Sequence, residues 1–382
     1  NNTTAYAHDA LGRVIAVTNA LGQVTHNSYD PEGRIIATWG NTYPVAYEYD
    51  DFGRMTAMRT YRGSEEITDA ATLFTLPTDR TTWSYDQPTG LLTNKLYADS
   101  KGTAYTYTPD GKLASRTWAR GVTTTYTYDT AQNLTSISYW RSSVSAIPDP
   151  DTPNITFTHD RLGRITSAIV DGVSTNFYAY NGFDLVTETQ NGSEITRTID
   201  ALGRPTGLSL GPDYAIEYGY DEYGRFNNVS SFASLAVQYS YLPGTDLLSG
   251  YTAGDFTRTV SYEPYRSLIT SVENKHGNTT ISRYDYENDA LGRRTAIARS
   301  GTAFGDTPIR DTYGYNHRSE VTSARRTLAG NPSQEIRGFA YDYEYDPIGN
   351  RISSTEYDHE NNPLLTSYTT NALNQYEQRT IP

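Results

Sequence analysis

Tyr49-Asp50-Asp51-Phe52-Gly53-Arg54 is the stretch on which the reading of this 382-residue chain turns. The same phrase returns as Tyr220-Asp221-Glu222-Tyr223-Gly224-Arg225. It recurs in looser form as Tyr29-Asp30-Pro31-Glu32-Gly33-Arg34 and Tyr345-Asp346-Pro347-Ile348-Gly349-Asn350. Shorter copies stand at Asp9, Gly12 and Arg13; at Asp160, Gly163 and Arg164; at Asp200, Gly203 and Arg204; and at Asp289, Gly292 and Arg293. A fixed phrase at a period of about twenty residues is the mark of a repeat architecture.

Each member of the phrase has a local reason. Before it the residues alternate, as in Tyr47 and Tyr49, Tyr105 and Tyr107, Tyr126 and Tyr128, Tyr218 and Tyr220, and Tyr341, Tyr343 and Tyr345. Period two places each set on one face of a strand, forming a ladder of aromatics. The Asp (Asp30, Asp50, Asp221 and Asp346 in the fuller copies) can bond the backbone two residues on. The Gly (Gly33, Gly53, Gly224, Gly349) supplies a positive φ. The Arg (Arg34, Arg54, Arg225) opens the next strand. Sixteen turn positions can be counted, with Asn133, Asp184, Asp246, Arg266, Ser319 and Asn374 in the Gly slot of degenerate units. Arg266 and Ser319 suit a left-handed backbone least. Asn19-Ala20-Leu21-Gly22, Asp171-Gly172 and Asn191-Gly192 mark a second turn within some units. The expectation is an all-β chain of repeated β-hairpins in one continuous antiparallel ribbon, a single array over residues 1–382.

Composition agrees with a thin sheet. The apolar fraction is 36%, and 34 Tyr outnumber 10 Phe and 2 Met, which is too little aliphatic material for an ordinary sandwich core. Tyr buries a ring while keeping a polar tip, and Arg can lie on such rings. The formal net charge of −13 without a basic stripe argues against nucleic acid as a partner. No apolar run is long enough to span a bilayer. The absence of Cys excludes disulfides and thiolate chemistry. Asn1 follows no signal-peptide pattern and reads as a cut through a longer protein.

Two insertions interrupt the period. In Ser64–Arg80, the run from Thr68 to Phe74 is a helix candidate with Thr68 or Asp69 as its cap. In Ser142–Asn154, three Pro between Pro148 and Pro153 predict a loop. Gly301–Pro308, Gly330–Gln334 and Asp358–Pro363 are expected to lengthen hairpins. The six His (8, 26, 159, 276, 317 and 359) lack metal-ligand spacing. The acids Glu65-Glu66, Asp149 with Asp151, and Asp358-His359-Glu360 are the pairs that could in principle do acid–base or cation chemistry, but loop-tip solvation explains them as well. No nucleophile elbow, phosphate loop or dinucleotide fingerprint is present. No catalytic, cofactor or metal residue is therefore expected.

The Tyr-Asp-x-x-Gly-Arg phrase resembles the YD repeat of the Rhs family, which includes bacterial polymorphic-toxin proteins, the C-component of Tc toxins, wall-associated proteins and teneurins. The resemblance implies a ribbon that spirals into a hollow shell or tube, in toxin members around a cytotoxic C-terminal domain. It also implies secretion or display at a bacterial surface, as part of a toxin-delivery complex in some members. The aspartate-bearing self-cleavage segment of toxin members has no counterpart here; the chain runs to Asn371-Ala372-Leu373-Asn374-Gln375-Tyr376 and shortly beyond. The leading expectation is a non-enzymatic shell segment whose partners are an enclosed polypeptide or neighbouring shell and plug domains. The alternative is a surface adhesion protein that binds carbohydrate or a partner through Tyr and Arg faces and forms filaments through its ribbon edges.

Overall fold

The computed structural model describes residues 3–63, 67–142, 146–148, 152–231 and 236–382. Glu65, Glu66, Asp149 and Asp151 lie outside the described residues. Among those described, 33 strands, one short helix and one 3-10 turn follow each other along the chain. Strand after strand pairs antiparallel with its sequence neighbour: Val24–Tyr29 with Ile35–Gly40, then Val45–Tyr49 with Met55–Thr60. The chain is an all-β antiparallel ribbon of hairpins, as the alternation of Tyr, Thr and Val requires.

Packing divides the chain into two compact units. The first comprises Asn1–Ser84, Leu96–Lys101 and Arg258–Pro382, and the second Tyr85–Lys95 and Gly102–Thr257. In both, most strand residues are half-buried, because water reaches both faces of a single sheet. The accessible surface is 22624 Å².

The exception is a patch in the first unit. The helix Ala70–Thr75 begins at Asp69, whose carboxylate accepts from the Thr72 backbone N–H at 2.8 Å. This is the capping anticipated from sequence, and a six-residue helix needs packing as well. It finds that packing on the strands Ile35–Gly40 and Val45–Tyr49. Leu73 is fully buried with Ala37, Ala46 and Tyr61, and Trp39, Ile67 and Phe74 close around them. Small Ala residues on the sheet let the helix approach.

Two loop expectations need correction. Within Ser142–Asn154, Ala146–Pro148 pairs as a short strand with Trp140–Ser142. A Pro at the last position of an edge strand costs no ladder bond. Gly330–Gln334 is mostly strand: Asn331–Tyr345 runs fifteen residues, with Gly338 at φ 80 absorbing the irregularity and the His359 ring packed against it.

The helix patch gives a direct test. Leu73→Ala should destabilise it by about 2–5 kcal/mol through the lost burial and the cavity. Hydrogen exchange should then speed up in Ile35–Gly40 and Val45–Tyr49, while strands of the second unit keep their protection.

Candidate functional site

The repeated phrase folds into one five-residue corner. In Asp50–Arg54 the Asp50 N–H donates to the Arg54 carbonyl (3.0 Å) and the Gly53 N–H to the Asp50 carbonyl (2.9 Å). Oδ1 of Asp50 accepts from the N–H groups of Phe52 and Arg54, at 3.0 and 2.9 Å. Oδ2 accepts from Nε of Arg54 at 2.7 Å. Gly53 stands at φ 81, where a Cβ would be strained. This is a three-residue hairpin loop closed by a bulge, and strand register shifts beside it, between Glu48 and Tyr49. The same set of bonds recurs at Asp9–Arg13, Asp160–Arg164, Asp200–Arg204, Asp221–Arg225 and Asp289–Arg293. At Asp30–Arg34, Arg34 donates to both carboxylate oxygens of Asp30, through its N–H and Nε, and Gly33 lies at φ 86. At Asp346–Asn350, with Gly349 at φ 90, Asn350 takes the place of Arg.

Each corner also grips the next hairpin. Arg34 lies 4.8 Å from the ring centroid of Tyr49, and its Nη1 donates to the Asp50 carbonyl at 3.4 Å. Tyr49 returns the contact, its hydroxyl donating to the carbonyl of Ile35 at 2.9 Å. Arg13 and Tyr29 (4.9 Å), Arg164 and Tyr180 (4.3 Å), Arg204 and Tyr220 (4.4 Å) and Arg293 and Tyr315 (4.7 Å) repeat the stacking. The hydroxyls of these Tyr likewise donate to the carbonyl just after the Arg. Lys112 replaces Arg over Tyr128. Tyr107 makes the hydroxyl bond, to Leu92. Burial pushes the phenols of Tyr49, Tyr107 and Tyr128 up, so they stay protonated donors.

The other ladder residues pack without that hydroxyl bond. Tyr47, Tyr105, Tyr126 and Tyr341 are half-buried on their strands. Tyr218 tilts against Phe226 at 5.8 Å, and Arg351 lies 4.8 Å over Tyr343 and also bonds Tyr345.

Four degenerate units were misregistered by sequence. The positive φ belongs to Gln132, Gly182 and Gly244, where Asn133, Asp184 and Asp246 were expected. Asn133 fills the Arg position of its corner, Asp184 already starts a strand, and the third loop is longer. Arg266 is no turn residue in the Gly sense: it pairs with Glu263 at 2.6 Å and reaches the Asp289 carbonyl at 2.7 Å, as a corner Arg does. Ser319, the least suited side chain, does adopt φ 66, and Asn374 φ 61. The turn expected at Asn19–Gly22 and the loop expected at Asp358–Pro363 are corners of the same kind, Asn19–Gln23 and Asp358–Asn362, each with an Asx residue four before an amide.

The candidate chemical groups separate in space. Asp358 is a corner carboxylate, held low by the Asn362 N–H. His8 and His276 are exposed, and His26 stacks on Trp39 at 5.4 Å. Glu48 is shared by Arg80 and Arg59, and Asp311 by Arg299 and Arg326. Among the described residues no three His, Asp or Glu are grouped to hold a metal ion. No described helix is long and apolar enough to cross a membrane.

Residues 8–38 match the family model described as RHS Repeat. The fold of the chain is similar to that of three solved toxin structures at 15% identity. One is the Tc holotoxin pore of Photorhabdus luminescens with a TccC3 variant: TM-score 0.65, covering 99% of this chain and 22% of that chain. The others are TcdB2-TccC3-Cdc42 (TM-score 0.62, 99% and 22%) and TcdB2-TccC3 (0.59, 99% and 23%). The chain thus spans about a fifth of the length of the solved chains it matches. No curated protein matches it by sequence. The repeat match and these folds together support an Rhs/YD-repeat array.

Two outcomes follow from the corner. Tyr49→Phe deletes one hydroxyl bond while keeping the ring under Arg34, and should cost about 0.5–1.5 kcal/mol in local unfolding measured by hydrogen exchange at Ile35–Gly40. Acid should act on many corners together. The carboxyls of Asp9 and Asp200 are held below their ordinary 3.8 chiefly by backbone N–H groups of Arg13 and Arg204, that of Asp160 chiefly by the Arg164 side chain. A pKa lowered by folding adds stability that is fully present above 3.8 and is lost as pH falls through the lower folded values. The melting temperature should therefore drop steeply below that pH, and less steeply in D160N/D200N.

Proposed function

We propose that this Rhs/YD-repeat array is a structural wall segment of a shell that encloses or presents a polypeptide, and that it carries out no catalysis. The observation that carries the reading is the single sheet with water on both faces, held together corner by corner through Asp, Arg and Tyr. A wall needs a continuous surface and no central site. Among the described residues, Glu48, Asp311 and the corner carboxylates of Asp9, Asp50, Asp160 and Asp200 are each tied to an arginine, which supports the same view. The partners of such a segment are further shell or plug domains and the enclosed chain. The likeness to Tc toxin chains supports a secreted toxin complex as its setting, with the toxic activity residing elsewhere.

Electron microscopy of the intact gene product tests this reading. A hollow particle with a wall one sheet thick is expected, with density inside it when cargo is present. A solid two-sheet core, or turnover of a substrate that is lost with one carboxylate, would sink the proposal.

A further inference from the structure

The first unit contains a seam between rungs far apart in sequence. The Tyr43 hydroxyl donates to Oε1 of Glu320 at 3.2 Å, and Arg62 donates to the Asn371 carbonyl at 2.9 Å. Charge is balanced at this seam: Arg318 has Glu320 at 3.0 Å, and Arg62 has Asp79 at 2.6 Å. Elsewhere in the unit it is not. Glu48 and Asp311 are each shared by two arginines. Arg80 of the Glu48 set is 43% exposed, so water screens it. Asp311 lies deeper, its side chain 10% exposed between Arg299 and Arg326 at 23% each.

These three residues belong to a row across five neighbouring strands: Thr279–Asn288, Arg294–Ser300, Ile309–Tyr315, Val321–Leu328 and Asn331–Tyr345. Residues directly opposite each other share a face of the sheet. Tyr284 stands opposite Arg299, Ile297 opposite Asp311, and Asp311 opposite Arg326, so all of them lie on one face. A phenylalanine closes each end of the row, and both come from places where the twenty-residue period fails. Phe304, in the turn Thr302–Phe304, packs edge-on against Tyr284 at 5.5 Å. Phe339 follows Gly338, the irregular point of the longest strand, and its ring centroid lies 4.2 Å from the Arg326 guanidinium. The acids of these strands mostly face the other way: Asp285, Glu287 and Asp342 stand opposite Ala298, Ala296 and Ser323, and pair there with Arg283, Arg310 and Arg325.

We propose that this row binds an extended acidic segment of polypeptide, with one Asp or Glu carboxylate seated between Arg299 and Arg326 and apolar neighbours against Phe304 and Phe339. Asp311 meets Nε of Arg326 at 2.8 Å and Nη1 of Arg299 at 2.7 Å, and among the described residues no other carboxylate pairs with either arginine. One negative charge between two positive ones leaves the trio cationic, in a chain whose formal net charge is −13. A guanidinium has five N–H donors in a fork that fits a carboxylate, and Asp311 uses only some of them. Tyr313 is a neutral donor on the same face, its phenol pushed up by burial and then by Asp311. Four strand spacings make the row about 19 Å long, which an extended segment of about six residues spans. The inference rests on the shell reading, which supplies an enclosed chain as the source of such a segment. Nucleic acid fits less well. Stacked bases need bare ring faces, and that of Phe339 is taken by Arg326, while two arginines make no track for a phosphate backbone.

Peptide binding to the 382-residue chain tests the site, with a rhodamine-labelled hexapeptide carrying two glutamates between apolar ends, and its glutamine counterpart. Fluorescence anisotropy should show the glutamate peptide binding about tenfold more tightly than the glutamine one, with the difference shrinking as salt is raised. Arg299→Gln with Arg326→Gln should bring the glutamate peptide down to the glutamine level. Arg283→Gln with Arg310→Gln, on the opposite face, should leave its binding unchanged. The first pair of substitutions also strips Asp311 of its partners, so a second measurement uses the unsubstituted chain: phenylglyoxal should label Arg299 and Arg326 severalfold more slowly with the glutamate peptide present, and at the free rate with the glutamine peptide. Equal binding of the two peptides overturns the inference, and so does labelling that the glutamate peptide leaves unchanged. Equal protection by inorganic phosphate or by a single-stranded oligonucleotide at the same concentration also overturns it, in favour of a phosphoryl ligand. A hollow particle whose Arg299 and Arg326 ignore the peptide would leave the shell reading standing and remove only this site.

Discussion

Six corner arginines (Arg13, Arg34, Arg164, Arg204, Arg225 and Arg293) are held twice, by the carboxylate of their own turn and against the phenol ring of the next hairpin. The longer-range order of the ribbon depends on that double hold. A single sheet has no second layer to fix the angle between successive hairpins. Backbone ladders alone set strand spacing and leave twist and slippage weakly determined where both faces are wet. The corner removes that freedom. Asp50 fixes the turn through two N–H groups, Arg54 is fixed by Asp50, and Arg34 passes the constraint from one hairpin to Tyr49 of the next. The Tyr49 hydroxyl then returns a bond to the strand that Arg34 begins.

Stability distributed in this way behaves unlike that of a globule. Each hairpin contacts mainly its neighbours, so the energy is close to a sum of nearest-neighbour terms and damage stays local. The helix Ala70–Thr75 and the Tyr43 seam are departures from that rule, one adding a small buried core and the other tying rungs separated by 277 residues. Both lie in the first unit, which therefore holds the interactions that a nearest-neighbour ribbon would lack.

The strands and corners were legible because the phrase repeats and because each residue type answers a local demand: positive φ for Gly53, an acceptor for Asp50, a stacking plane for Tyr49. The helix cap at Asp69 was legible for the same reason. The misregistered units show the limit of spacing alone. Arg266 stands where a Gly was expected because its hairpin is a residue longer, and only the Glu263 contact reveals its role. Ser319 adopts a left-handed backbone against its propensity because the bonds around it, from Asn316 to Glu320, fix the turn. The Tyr43 seam had no sequence signal at all. It depends on which rungs meet after many hairpins, and no local pattern records that.

The corner's third position joins these two levels. Its backbone N–H is committed to the Asp, while its side chain varies, from Leu11 and Leu162 to Phe52 and Tyr223, which lie under Arg54 and Arg225, and Glu32, which pairs with Arg34. The joint therefore imposes no apolar residue there. An aromatic ring there gives the corner arginine a second face to lie on, as at Phe52 and Tyr223. Ile348 and Leu373 are half-buried at the two corners that Tyr43 and Arg62 reach. Leu162 and Leu202, which offer the corner arginine no ring, stand mostly exposed at the same position.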